Sequence, residues 1–215
     1  NSGADTWTFT PNANYNGAAN LSYTLTDGSL TTASNTTINI AAVNDAPVAT
    51  PVAYTFDEDT TVTITAADLL AASSDIDSGS LTITNVSVAQ GLGTLVDNGD
   101  GTWSFTPNAN FNGNLSLSYT VSDGALTSTS AINLTVNPIN DAPVATAVSY
   151  TFDEDTTVTI TAADLLAASS DIDSANLSIT SVSVAPGLGT LVDNGDGTWS
   201  FTPNANFNGN LSLSY

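Results

Sequence analysis

The chain has 215 residues, 41% hydrophobic and only 10% charged, and its 21 acids stand against no lysine, arginine or histidine, giving a net charge of −21. Nucleic acid and anionic membrane surfaces are bound through Lys and Arg, so this composition argues against both partners, and no apolar run approaches the ~20 residues of a direct membrane insertion. With Cys and His also absent, disulfides, thiol chemistry and the usual zinc and copper ligands drop out, and any bound metal has to be a hard one held by oxygen.

The apolar content is too high for an acidic disordered tail, so the chain is expected to fold. Its organisation is set by a repeat. "NDAPVAT" at 44–50 returns at 140–146, an offset of 140 − 44 = 96. "TFDEDTTVTITAADLLAASSDIDS" at 55–78 returns at 151–174, "NGDGTWSFTPNANFNGNLSLSY" at 98–119 returns at 194–215, and Trp7, Trp103 and Trp199 keep the same spacing.

In chain order, residues 1–43 read as the C-terminal part of a first repeat, 44–139 as one complete repeat and 140–215 as a truncated third repeat lacking its last strand region. Two explanations of the partial repeats are open. The piece belongs to a long array whose neighbouring repeats complete it, or residues 1–43 of one chain complete 140–215 of an adjacent identical chain.

Within 44–139, apolar residues alternate with Thr, Ser and Asn in short runs, the period of half-buried strands. The runs are Val52/Tyr54/Phe56, Val62/Ile64, Leu81/Ile83 with Val86/Val88, the neighbourhood of Leu95, Trp103/Phe105, Leu115/Leu117/Tyr119/Val121 and Ile132/Leu134/Val136. The change of phase between Ile83 and Val86 predicts a bulge. "AADLLAASS" at 66–74 has helical character but is short, and Asp68 and Asp164 read as caps of the turns they begin. "DNGDG" at 97–101 and "SDGA" at 122–125 are turn signals. The fold class expected is all-β: tandem Greek-key β-sandwich domains of immunoglobulin-like or cadherin-like type, about seven strands each.

Strands that alternate in direction place Asn44, Asp45, Asp75, Asp77, Asp97, Asp100 and Asp123 at one end of the repeat and Asp57, Glu58 and Asp59 at the other. Across a linker, Glu58 and Asp59 are then expected to meet Asn140, Asp141, Asp171 and Asp173. Adjacent carboxylates repel by about 1 kcal/mol per pair even in water, and the chain supplies no cation to offset this. Calcium accepts six to eight carboxylate, amide and backbone oxygens in flexible geometry, so Ca2+ is the expected cofactor. The acids of "DNGDG" read instead as ordinary hairpin residues.

The segments "SSDIDSGSLTIT", "SDGALTSTSAINLTV" and "NDAP" resemble the D-x-D, D-x-G-like and N-D-x-A-P segments of cadherin repeats. The whole unit is similar to the bacterial cadherin-like tandem repeats of giant surface adhesins, including those of RTX type. "VNDAP" and "INDAP" are one polar residue shorter than the cadherin linker. The resemblance implies a stiff extracellular, cell-surface extender with linker calcium. Residue by residue it assigns metal roles to Glu58 and Glu154, to Asp75 with Asp77, to Asp171 with Asp173, and to Asp27 and Asp123. The repeat offset adds Asp155 as the counterpart of Asp59.

Other functions fit less well. Catalysis would have only carboxylates, hydroxyls and amides to work with, and acids recurring once per repeat suit a joint better than one active site, so the chain is not expected to be an enzyme. A carbohydrate- or ice-binding module would use the aromatics around "TWSFTP", yet these alternate as core residues do. A subunit of an extracellular filament or surface layer shares the fold and the calcium and differs in polymerising between chains.

Overall fold

A computed structural model describes residues 6–215, which divide between Pro138 and Ile139 into two compact units. Strands dominate both.

The first unit begins with β1 (Gly17–Thr26) and β2 (Thr31–Ile40), an antiparallel hairpin in register from Gly17 opposite Ile40 to Thr26 opposite Thr31. Asp27 closes its turn, with Oδ1 accepting the N–H groups of Ser29 at 2.8 Å and Leu30 at 2.7 Å. Leu21, Tyr23, Leu25, Ile38 and Ile40 share one face of this ribbon. Tyr23 and Leu25 remain 45% and 56% exposed, and Trp7 is 88% exposed.

The complete repeat follows as β3 (Val48–Ala49), β4 (Val52–Asp57), β5 (Val62–Thr65), α1 (Ala66–Ala71), β6 (Ser73–Ser74), β7 (Thr82–Val88), β8 (Gly93–Asp97), β9 (Thr102–Pro107), β10 (Gly113–Ser122) and β11 (Thr127–Asn137). Alternation sorts these strands into two sheets, one in the order β4-β11-β10-β7 and one in the order β5-β9-β8. Each turns its apolar face inward. Val86, Leu115, Leu117, Tyr119, Ile132, Leu134 and Val136 come from the first sheet, Ile64, Trp103 and Phe105 from the second, and Leu69 of α1 joins them in one core. Trp103, the counterpart of Trp7, is only 8% exposed.

Three local features follow from the residues that make them. The register of β7 against β10 slips between Thr120 and Val121, whose partners are Asn85 and Ile83, so Thr84 is the extra residue of a bulge, where the phase of the apolar pattern changes. Thr65, not Asp68, is the N-cap of α1: its Oγ1 accepts the Asp68 N–H at 3.1 Å and donates to Asp68 Oδ2 at 2.8 Å. Tyr119, fully buried, donates its hydroxyl to the Thr50 carbonyl at 2.7 Å and so ties β10 to the start of the repeat.

The second unit holds β12 (Val144–Ala145), β13 (Val158–Thr161), α2 (Ala162–Ala167), β14 (Ser169–Ser170), β15 (Ser183–Val184), β16 (Gly189–Asp193), β17 (Thr198–Pro203) and β18 (Leu213–Ser214). Its β13-β17-β16 sheet reproduces β5-β9-β8 register for register, from Val158 opposite Phe201 as Val62 is opposite Phe105. The other sheet differs. "VAYTFD" at 52–57 is a six-residue strand bonded in parallel to β11, whereas "VSYTFD" at 148–153 belongs to no strand. The seven residues of β7 shrink to the two of β15. The sequence of these segments is nearly the same; what the second unit does not contain is a β11.

Gly93 shows how tightly the small sheet closes. Its φ is +150°, and an added Cβ would lie 2.4 Å from the Thr106 carbonyl oxygen and 2.9 Å from Phe105 Cζ. Substitution Gly93→Ala is expected to destabilise the complete repeat by about 1–3 kcal/mol through overpacking and backbone strain, read as a lower denaturant midpoint at unchanged slope. Gly79→Ala, where a methyl meets nothing within 4 Å, is the control and is expected to leave the midpoint in place.

Candidate functional site

The acids fall into groups at the loop ends of the sandwich, and the fold explains why. Pairing of β3 with β6, Val48 opposite Ser74 and Ala49 opposite Ser73, draws the entering chain against the loop that follows α1. The β10–β11 turn carries Asp123. Asn44, Asp45, Asp75, Asp77 and Asp123 are brought together in this way.

They are joined by directed hydrogen bonds. The Asp45 N–H donates to Asp77 Oδ2 at 2.7 Å, and Asn44 Nδ2 donates to Asp123 Oδ2 at 2.7 Å. Asp75 Oδ1 accepts the N–H groups of Asp77 and Ser78, both at 2.7 Å. Asp123 Oδ1 takes the N–H groups of Ala125 at 2.6 Å and Leu126 at 2.7 Å. Asp75 Oδ2 is shut off from solvent and has no hydrogen-bond partner. A buried polar atom left so costs about 1–3 kcal/mol, more when charged.

The second unit repeats the pattern. Asp141 N–H donates to Asp173 Oδ2 at 2.6 Å, Asp171 Oδ1 accepts from Asp173 and Ser174 at 2.8 Å, and Asn140 Nδ2 bonds the Asp141 carbonyl at 2.9 Å. Asp27, the counterpart of Asp123, closes the β1–β2 turn and is exposed.

Glu58 and Asp59 lie elsewhere, at the far end of β4. Glu58 is 2% exposed; Asn112 Nδ2 donates to its Oε2 at 3.3 Å and its own N–H donates to the Asn137 carbonyl at 2.9 Å. Asp59 has φ +57°, and its Oδ1 accepts the Asn110 N–H at 2.9 Å. The Asn137 amide also reaches Asp57 Oδ1 at 3.0 Å. These acids therefore fasten the 108–112 loop and the end of β11 to β4. Asp155, with φ +59°, holds the Asn206 N–H at 2.8 Å in the same manner, while Glu154 is exposed. Asn110, Asn112 and Asn137 are structural partners that acid-centred reading of the sequence passes over; "NANFNG" signals a loop but not what it grips.

Among the described residues, no three acidic side chains converge closely enough to hold a metal ion by themselves. Each end group instead mixes carboxylate, side-chain amide and backbone carbonyl oxygens, the donor set that suits a hard cation. Asp97 and Asp100 stand apart from it. Asp97 accepts the Gly99 N–H at 2.9 Å and Asp100 the Thr102 N–H at 3.0 Å, so both are spent inside their hairpin.

The donors around Asp123 have an electrostatic consequence. The Asn44 amide, then the N–H groups of Leu126 and Ala125, favour the carboxylate and hold its pKa below the ordinary value of 3.8. A depressed carboxylate pKa contributes stability that is present above 3.8 and lost as pH falls through the lower folded value. In Asn44→Ala the Asp123 titration, followed by carboxyl NMR, is expected to move up toward 3.8, with the folded state losing less stability on acidification than the parent.

Comparison with known proteins adds family and fold. No curated protein matches the chain. Among solved structures, an endo-fucoidan hydrolase of glycoside hydrolase family 107 is similar at 19% identity and a TM-score of 0.33, over 90% of this chain but 31% of that one. Domains 4–9 of the surface layer protein SbsC match at 15% identity and 0.26, over 88% of this chain and 31% of that one. A chimeric titin Z1Z2 matches at 14% and 0.25, over 74% and 82%. Scores of this size carry no argument about function. The family comparison is stronger, since the cadherin-like domain matches three times, over residues 1–41, 43–137 and 139–215. With that repeat spanning nearly every residue, and with paired sheets closing over one core in the complete copy, the chain belongs to the cadherin-like domain family.

Proposed function

We propose that these tandem cadherin-like domains are an extender segment of a long secreted or cell-surface adhesin of RTX type, made rigid by calcium at the ends of its repeats. The observation that carries this reading is Asp75 Oδ2, a buried carboxylate oxygen without a partner, set in a loop group of oxygens in a chain with no cation of its own. A divalent ion supplies the missing partner. Asn44, Asp45, Asp75, Asp77 and Asp123 would hold it in the complete repeat. Asn140, Asp141, Asp171 and Asp173 would do the same in the next repeat.

Calcium neutralises the mutual repulsion of these carboxylates. The protein's own part is positional: Asp75 Oδ1, held by two backbone N–H groups, fixes the orientation of Oδ2, and the Asp45–Asp77 bond keeps the entering chain beside it. Extracellular modules bind calcium at roughly 0.1–1 mM, so such sites fill outside a cell. The repeated placement of the same acids supports a mechanical role over a catalytic one.

Thermal unfolding in calcium and in chelator tests the reading. A ligand bound only by the folded state at a hundredfold excess over its Kd stabilises by about 2.7 kcal/mol, so a rise in midpoint of that order is expected and should disappear in Asp75→Asn. Small-angle scattering is expected to show a longer, stiffer particle in calcium. The same length and flexibility in calcium and in chelator would overturn the proposal.

A further inference from the structure

The asparagines of the complete repeat divide into two kinds. Asn44, Asn98, Asn108, Asn112 and Asn137 sit in loops or at a strand end, and each donates its Nδ2 to a protein acceptor: Asp123, Thr102, the Gly91 carbonyl, Glu58 and Asp57 in turn. Asn110 is engaged through its backbone N–H to Asp59. Asn85, Asn114 and Asn133 lie inside β7, β10 and β11, are exposed, and donate no Nδ2 hydrogen bond among the described residues. Only this second kind occurs as Asn-x-Ser/Thr, in "NVS" at 85–87, "NLS" at 114–116 and "NLT" at 133–135. The central residue of each, Val86, Leu115 or Leu134, belongs to the core. Alternation along the strand therefore turns the Asn and the hydroxyl residue out together on the open face of the sheet.

On β10 and β11 two of these motifs face each other. Asn114 pairs with Thr135 and Ser116 with Asn133. Each amide oxygen accepts the other motif's hydroxyl, Asn114 Oδ1 from Thr135 at 3.1 Å and Asn133 Oδ1 from Ser116 at 3.5 Å, which leaves both Nδ2 groups facing outward. The β1–β2 hairpin has the same arrangement. There "NLS" at 20–22 stands opposite "NTT" at 35–37, with Asn20 paired to Thr37 and Ser22 to Asn35, and Thr37 donates to Asn20 Oδ1 at 2.8 Å. Duplication of the repeat does not account for this, since the 96-residue offset carries Asn20 and Asn35 to Ser116 and Ala131. The facing pair occupies different rungs of the ladder in the two hairpins.

We infer that Asn20, Asn35, Asn85, Asn114 and Asn133 are acceptors of N-linked sugar, since Asn-x-Ser/Thr on an exposed surface is the acceptor pattern for that modification. The co-reactant is a glycosyl diphosphate, handled by a glycosyltransferase. The Nδ2 nitrogen bonds to the anomeric carbon, the bond from that carbon to the diphosphate oxygen breaks with its electron pair leaving on the diphosphate, and one Nδ2 proton passes to a base of the transferase. β7, β10 and β11 contain no acid, so sugars on this face stand apart from the loop carboxylates and do not depend on the calcium reading.

Peptide mass spectrometry of the chain isolated from the cells that make it tests the inference; chymotrypsin serves for digestion because the chain offers trypsin no site. Hexose or N-acetylhexosamine masses are expected on the strand asparagines, with Asn44, Asn98, Asn108, Asn112 and Asn137 unmodified. Thr135→Ala made in the same cells is expected to lose the sugar at Asn133 and keep it at Asn114, which separates the hydroxyl two residues along from the one across the ladder, and Thr135→Ser is expected to restore it. Thr135 is exposed, so these variants keep the fold. Unmodified asparagine at all five positions, sugar confined to the loop asparagines or to Ser and Thr hydroxyls, or an Asn133 sugar retained in Thr135→Ala would each overturn the inference.

Discussion

One strand bonded along both edges organises the complete repeat. β11 takes β10 on one side in antiparallel pairing and β4 on the other in parallel pairing. In doing so it converts a local alternation of apolar residues into a sheet with a continuous inner face. The second unit acts as an internal control, since nearly the same residues that form β4 beside β11 form nothing without it. Strand character at 52–57 is thus a property of the pairing and not of the segment, as expected where β-propensity reflects packing against neighbours. The small sheet needs no such help. Its β8 and β9 are joined by a tight turn, β5 pairs with β9 from much earlier in the chain, and the sheet assembles identically in both units.

The polar ends of the domain obey a different constraint. A chain without lysine, arginine or histidine has to satisfy carboxylates with N–H groups and amides, and Asn and the loop backbone take that part. Glu58 is held by Asn112, Asp57 by Asn137, Asp123 by Asn44, Asp59 by the Asn110 backbone. Charge-assisted bonds of this kind are stronger than neutral ones. They make the acids structural fasteners as well as candidate ligands, and among the described residues they leave Asp75 Oδ2 buried without a hydrogen bond.

Much of this could be read from sequence because the signals are local. Period-two alternation located every long strand of the repeat, and the phase change at Ile83 and Val86 located the bulge. What resisted reading depends on distant partners. Nothing near residues 52–57 announces parallel pairing with 132–137, and nothing near Glu58 announces burial, because Asn112 lies 54 residues away. Thr65 and Asp68, three positions apart, bond each other reciprocally, so the sequence pattern alone suits either as the cap of α1, and only the geometry puts Thr65 outside the helix. At the Asn44 end the β3–β6 pairing gathers Asn44, Asp45, Asp75, Asp77 and Asp123, whereas Asp97 and Asp100, expected at the same end, are spent inside their hairpin.

The parallel ladder between β4 and β11 joins the first long strand of the repeat to its last. The chain enters near the beginning of β4 and leaves at the end of β11, so tension along the polypeptide draws these neighbours past one another in opposite directions. The six pairs from Val52–Ile132 to Asp57–Asn137 then resist together, in shear, and cannot be peeled apart one at a time. A load along the chain is thereby shared across the whole ladder, as in a lap joint and not a zipper.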